Sequence, residues 1–294
     1  MTWLSDNAVA HLRTVAELPD FSHTRYRLQR EIARGGMSVV YEAEDAELRR
    51  RVAIKVLASE LASEDAIERM RAEARTIARL EHPGIVPLHD VGLLPDGRLW
   101  YAMKLVRGHR LDELNAATAE LLRVFLRICE AVAFAHANGI VHCDLKPENV
   151  MLGDFGEVLV MDWGVARQTG ARDARIAGTR GFMAPEQERG EAVDASTDIF
   201  ALGVMLRAIL PSKLPRALDA ICVKASAPAK ADRYATARDL ADDVSRWLDS
   251  QPVSAYRENI LERASRWLMR NRALVTIVLA YLVMRVIIIF WTHR

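Results

Sequence analysis

Residues 140 to 152, IVHCDLKPENVML, hold Asp144, Lys146 and Asn149 within six positions. A carboxylate can accept a hydroxyl proton, a lysine two residues on can offset anionic charge, and an amide can lend a neutral oxygen to a metal. Just beyond, residues 149 to 167 (NVMLGDFGEVLVMDWGVAR) spell an aspartate–aromatic–glycine triplet twice, as Asp154-Phe155-Gly156 and Asp162-Trp163-Gly164. Either aspartate could hold a metal. Far upstream, VAIKVL carries Lys55 and SEDAIERMRAEARTIARL carries Glu73. Ala66, Met70, Ile77 and Leu80 make a helical apolar stripe, and Glu73 lies on that stripe rather than on the polar face. A carboxylate on an inward face needs a partner.

The elements that must position these groups fall into two regions. From Tyr26 onward, YRLQREIARGGMSVVYEAED and RRVAIKVLA alternate or run apolar with β-branched residues, which predicts strands. RLWYAMKLV predicts a buried strand. After Gly108 the pattern turns helical, with AATAELLRVFLRICEAVAFAHANG a long striped helix stopped by Asn138-Gly139. VML and VLVM predict two short strands around GDFGE, whose glycines and aspartate are hairpin-turn chemistry. Asp154 then sits on a tight turn facing water. Asp162 follows the second strand, where the chain returns beside Asn149.

The bulk numbers exclude some classes. Among 294 residues, Lys+Arg 40 against Asp+Glu 39 leave a formal charge of +1, so no global basic field points to nucleic acid. Cys129, Cys143 and Cys222 form no CxxC pair, which argues against a zinc site or disulfide framework. At the N-terminus, Val9, Leu12, Val15 and Leu18 recur at roughly helical spacing behind Ser5-Asp6 and predict a helical extension over 1–25.

Matched to H-x-D-L-x-x-x-N, residues 140 to 152 supply His142, Asp144, Leu145 and Asn149. From about Tyr26 to about Ala255 the chain resembles the eukaryotic-type (Hanks-type) protein kinases, in particular the bacterial serine/threonine branch. That resemblance implies an α+β bilobal fold, with a small antiparallel-sheet N-lobe over 26–106 and a helical C-lobe over 107–250. It also implies ATP and Mg2+ as cofactors and Ser/Thr-bearing proteins as substrates, with no nucleic acid. By the resemblance, Asp144 and Lys146 are catalytic, and Asn149 and Asp162, thirteen residues apart, hold the metal. ATP is expected against Ile32, Ala33, Gly35, Gly36, Val40, Ala53, Lys55, Glu73, Met103 and Val106, with Glu73 orienting Lys55. GTRGFMAPEQ (178–187) matches the substrate-facing segment, Glu186 is expected to pair with Arg233, and Asp198 to hold the catalytic loop's backbone. The runner-up is a pseudokinase that binds nucleotide or partners.

Four departures stand out. In the G-x-G-x-x-G frame of IARGGMSVVYEA, Ala33 and Ser38 replace the outer glycines. Cys143 replaces the arginine that usually precedes the catalytic aspartate, and Thr169 is the one hydroxyl residue between Gly164 and Gly178. Both point to activity independent of activation-loop phosphorylation, and Cys143 is a candidate redox thiol. Between Gly203 and LPRALDAICVKA only about a dozen residues intervene, which predicts an exposed or partner-covered patch. Finally, ALVTIVLAYLVMRVIIIFW (273–291) has one charge, Arg285, and as a helix reaches about 28 Å. It predicts a transmembrane helix, preceded by a juxtamembrane helix or linker over 251–272 in which Ile260, Leu261, Ala264, Trp267 and Leu268 share a face. Arg263, Arg266, Arg270 and Arg272 before it predict a single-pass protein with a cytoplasmic kinase domain. Homodimerisation is left open.

Overall fold

The computed structural model describes residues 18–35, 37–58, 63–171, 178–259, 262–263 and 272–292. Five antiparallel strands form the first sheet: β1 (Tyr26–Arg34), β2 (Ser38–Asp45), β3 (Arg50–Leu57), β4 (Leu88–Leu93) and β5 (Leu99–Lys104), in the order β1-β2-β3-β5-β4. Period-two alternation divides its faces. Val52, Ile54 and Val56 of β3 join Trp100 and Ala102 of β5 on one face. Ala53 and Leu57 join Leu99, Tyr101 and Met103 on the other, against the main core.

Helix α1 (Glu64–Arg79) covers that second face. Ser63 caps it by accepting from the Ala66 N–H, and it buries Ala66, Met70, Glu73, Ala74 and Ile77. The inward position of Glu73 is therefore real. After β6 (Gly108–Arg110), α2 (Thr118–Ala137) runs through the second lobe with Phe125, Ile128 and Val132 fully buried. Next come β7 (Ile140–Val141), β8 (Val150–Gly153), β9 (Val158–Val160) and β10 (Arg167–Gln168). Strand β8 lies between β6 and β9, and β7 pairs with β10. The helices α3 (Pro185–Glu188), α4 (Ala195–Ile209), α5 (Arg216–Ala225) and α6 (Ala237–Leu248) complete the lobe.

Several expectations need correction. Residues 1–17, including Val9, Leu12 and Val15, lie outside the described residues. Residues 18–25 are not helical: Leu18 and Phe21 pack on the aromatic face of the sheet, with the Phe21 ring 5.3 Å from that of Trp100. The exposed patch expected after Gly203 is closed by direct helix packing. A Cβ at Gly203 would come within 2.7 Å of the Ala225 Cβ, so glycine lets α4 meet α5. Among the described residues between 178 and 259, Val223 alone is a large apolar side chain left exposed.

The segment after α6 is docked chain, not a free linker. The buried Asp243 carboxylate accepts from the Ser254 N–H and Oγ, the Ala255 N–H and the Tyr234 hydroxyl at 2.7–3.0 Å, and Val253 is buried. Ile260, Leu261, Ala264, Trp267 and Leu268 lie outside the described residues. Helix α7 (Arg272–Thr292) forms over the segment read as transmembrane and exposes Ile277, Leu279, Leu282, Val283 and Trp291. Among the described residues, however, no helix is long and apolar enough to cross a membrane.

Candidate active site

Strands β8 and β9 settle the two triplets. They pair as Val150↔Val160, Met151↔Leu159 and Leu152↔Val158, and the Gly153 N–H donates to the Glu157 carbonyl at 2.8 Å to close the turn. Gly156 takes φ +82°, which suits a residue with no Cβ. Asp154 sits on this turn in solvent and Phe155 beside it is 96% exposed. Asp162, two residues beyond β9, enters the cleft instead. Its Oδ1 lies 3.0 Å from the Lys55 Nζ. Trp163 is 1% exposed, its ring 4.5 Å from that of His142.

Lys55 reaches from β3 to Glu73 on α1 as well, at 2.7 Å to Oε1. The same Oε1 accepts from the Tyr101 hydroxyl at 2.8 Å. Burial raises the Glu73 carboxyl above its ordinary value, with Lys55 opposing that rise. Burial also works against charge on Lys55, but Tyr101, Glu73 and Asp162 outweigh it and hold the ammonium well above its usual value. At Asp162 the same contest goes to the carboxylate. Burial raises its value, Lys55 more than offsets that rise, and the group ends below the ordinary range.

The loop bearing Asp144 is held from beneath. The Asp198 carboxylate, fully buried on α4, accepts from the His142 and Cys143 N–H groups at 2.8 and 2.9 Å and lies 2.8 Å from the His136 Nε2. Burial raises the Asp198 carboxyl, but these donors leave it below its ordinary value. The Asp144 N–H donates to the His142 Nδ1, so the His142 Nε2–H donates to the Met161 carbonyl at 3.0 Å. Cys143 (φ +66°) and Asp162 (φ +56°) are both non-glycine residues in the left-handed region. Such backbone persists where surrounding bonds impose it, and here it brackets the cleft.

Asp144 meets its neighbours closely. The Thr179 N–H and hydroxyl both donate to its Oδ1, at 2.7 and 2.8 Å. Lys146 Nζ bridges the Asp144 Oδ2 at 3.1 Å and the Thr179 Oγ1 at 2.6 Å. The Asn149 Nδ2 donates to the Asp144 carbonyl and Oδ2, which commits its amide nitrogen and leaves its carbonyl oxygen for another group. Beneath, Arg233 and Glu186 form a fully buried two-bond pair at 2.7 and 2.9 Å.

Between the lobes lies a cavity of about 880 Å³. Ile32, Ala33, Gly35, Val40, Ala53, Lys55, Met103, Val106, Asn149 and Asp162 all line it. Glu73 and Asp144 line a second cavity of about 190 Å³ that shares Gly35, Ser38, Lys55 and Asp162 with the first. Gly36 lies outside the described residues. The Gly35 N–H donates to the Ser38 carbonyl at 2.8 Å, so the β1–β2 turn closes despite Ala33 and Ser38. Cys143 is buried and its thiol pushed far up by that burial, so the redox expectation fails for want of thiolate and access.

Three residues escaped the sequence reading. Tyr101 reads as a core aromatic until its hydroxyl finds Glu73. Thr179 lay inside the quoted GTRGFMAPEQ segment without being singled out, and Met151 reads as a strand residue yet lines the large cavity.

Residues 26–255 match the protein kinase domain, and the chain belongs to that family. Within it, the chain is similar to serine/threonine-protein kinase PknA of Mycobacterium tuberculosis. The two are 43% identical over 209 residues, covering 66% of this chain and 48% of that protein. It is 34% identical over 281 residues to serine/threonine-protein kinase PknB of Mycolicibacterium smegmatis, covering 81% of this chain and 45% of that one. Likeness to serine/threonine-protein kinase PknD of Protochlamydia amoebophila is 34% over 229 residues, 65% of this chain and 23% of that protein. The chain thus spans about half, or less, of the length of the curated relatives it matches.

Proposed function

We propose that this chain is a serine/threonine protein kinase that moves the γ-phosphoryl group of ATP onto hydroxyls of protein substrates. One observation carries the reading: Lys55, Glu73 and Asp162 form a single ion-paired cluster beside Asp144 and Asn149. Phosphoryl transfer requires positioning and charge neutralisation more than covalent chemistry, and this cluster offers both. Lys55 pairs with the nucleotide phosphates while Glu73 keeps it aimed. Ala53 and Met103 wall the base, and Val106 offers it backbone groups. Ile32, Ala33 and Val40 cover it, and backbone N–H groups near Gly35 and Gly36 approach the phosphates.

Asp144 accepts the proton of the acceptor hydroxyl, and Lys146 beside it offsets charge on the transferred group. Asn149 and Asp162 are the residues that would hold magnesium, which supplies cationic charge against the phosphates when bound. They fit that ion. The Asp162 side chain is 52% exposed with its carboxyl held below the ordinary range, and the Asn149 amide oxygen is uncommitted to the bonds that fix its nitrogen. Magnesium takes one or two protein oxygens and completes its shell with phosphate and water. Among the described residues no group of three or more His, Cys, Asp or Glu could hold a metal alone.

Helix α7 attaches the kinase domain to a membrane, with the domain on the cytoplasmic side. This rests on the single charge in 273–291, on the exposed apolar side chains of α7, and on the four arginines between 263 and 272. The assay that tests the enzyme is transfer of radiolabelled phosphate by the full chain beside Asp144→Asn and Asp162→Ala. Equal transfer by all three proteins rejects it. For the membrane, extraction of the full chain from vesicles by alkaline carbonate rejects a spanning helix, and retention supports it.

A further inference from the structure

The Lys55–Glu73 pair has a third member. Lys55 on β3 and Tyr101 on β5 are direct cross-strand partners in the ladder. Residues directly opposite in an antiparallel pair project to the same face, so both side chains point at α1. Tyr101 is 2% exposed, and its hydroxyl lies 2.8 Å from the Glu73 Oε1 that Lys55 meets at 2.7 Å. A buried tyrosine hydroxyl needs a partner, and so does a buried carboxylate. Phenylalanine would fill this core position nearly as well by volume, so the hydroxyl is what the tyrosine adds.

We propose that Tyr101 is a positioning residue, the fixed donor that holds Glu73 and hence α1 inward while Lys55 is shared with other anions. The two donors on Oε1 differ in what else they can do. Lys55 also lies 3.0 Å from Asp162 and, on the reading that this cleft transfers phosphate, must serve the nucleotide as well. Its long stem can follow any of these groups. Tyr101 cannot leave: its ring is packed in the core with Met70, Ile77 and Met103, and its hydroxyl reaches one carboxylate. Helix α1 carries Glu73 on the same face as Met70, Ala74 and Ile77. A hydrogen bond from the sheet to Glu73 therefore sets the helix's approach as well as the carboxylate's aim.

The test is a double-mutant cycle on the full chain with Mg-ATP, using dephosphorylated casein as acceptor: wild type, Tyr101→Phe, Glu73→Ala and the pair together. Asp144→Asn serves as the inactive control. A wild type no more active than Asp144→Asn would reject the kinase reading itself, and the remaining comparisons address Tyr101 alone. Tyr101→Phe is expected to lower kcat/KM for ATP about tenfold, the worth of one hydrogen bond to a charged group. The loss should shrink to within about twofold in the Glu73→Ala background, because residues acting through one another are not additive. Losing the donor should also move the acid limb of kcat/KM to higher pH. Around Glu73, burial and Asp162 raise its value while Lys55 and Tyr101 lower it, so deleting the Tyr101 bond raises it further. Thermal melts of all four proteins separate misfolding from misplacement. A Tyr101→Phe protein within twofold of wild type, or the same loss with and without Glu73, overturns the proposal.

Discussion

Two triplets of one chemical type, their aspartates eight residues apart, come to opposite fates in this chain. Asp154-Phe155-Gly156 sits on the β8–β9 turn with its aromatic ring almost wholly in water. Asp162-Trp163-Gly164 lies past β9, with the aspartate on Lys55 and the tryptophan sealed against His142. Composition does not separate them; topology does. A hairpin turns its middle outward, and the residue leaving its second strand is delivered to whatever lies under the sheet.

Substitutions can break or sharpen this contrast. The largest effect is expected at Asp162→Ala, with phosphate transfer falling by about 10³, within the range for loss of a positioned catalytic group. Asp154→Ala should leave the rate unchanged in the same radiolabel assay. If Asp154→Ala is the one that kills transfer, the assignment is reversed. Next in size is stability. Trp163→Ala should cost about 3–5 kcal/mol in denaturant unfolding, as for other buried aromatic truncations. Phe155→Ala should stay within about 0.5 kcal/mol, since its ring gives up no packing.

A smaller effect concerns the floor beneath Asp144. The folded-state value of Asp198 lies below its unfolded value, so its contribution to stability is present above the unfolded pKa of about 3.9 and is lost as pH falls through the folded one. Unfolding midpoints of the wild type should therefore drop below about pH 4. In Asp198→Asn the acid dependence should flatten while stability at neutral pH also declines, because an amide accepts fewer of the three contacts. An unchanged acid slope in that variant argues that other carboxylates carry it. The smallest expected effect is at Thr169, exposed beyond β10 with its hydroxyl 3.3 Å from the Gly139 carbonyl. Thr169→Ala should retain wild-type transfer in the same radiolabel assay, and a large loss would show that activation-loop phosphorylation matters.

Much of this was readable in the residues. The strand–helix alternation, the inward Glu73 and the hairpin ahead of Asp162 follow from local periodicity and turn chemistry, which act over a few positions, while the loop around Asp144 was legible through its resemblance to the kinase motif. What was not readable depended on distant packing. Cys143 beside an aspartate suggests reactivity, and only burial among Val141, Val165 and Val193 makes it inert. The short connection after Gly203 suggests a hole, yet helix α5 moves in because a glycine lets it. Residues 251–255 look like a linker until Asp243 collects their N–H groups.

Tyr101 marks the boundary most clearly. By itself the sequence determined the kinds of group available and the faces on which they stand, because side-chain direction follows from the two- and 3.6-residue periods of strand and helix. Only the tertiary structure decided which groups meet, because the separation of β5 from α1 is set by packing between elements far apart in the chain. A hydroxyl gains a role only when that separation brings a carboxylate within 2.8 Å.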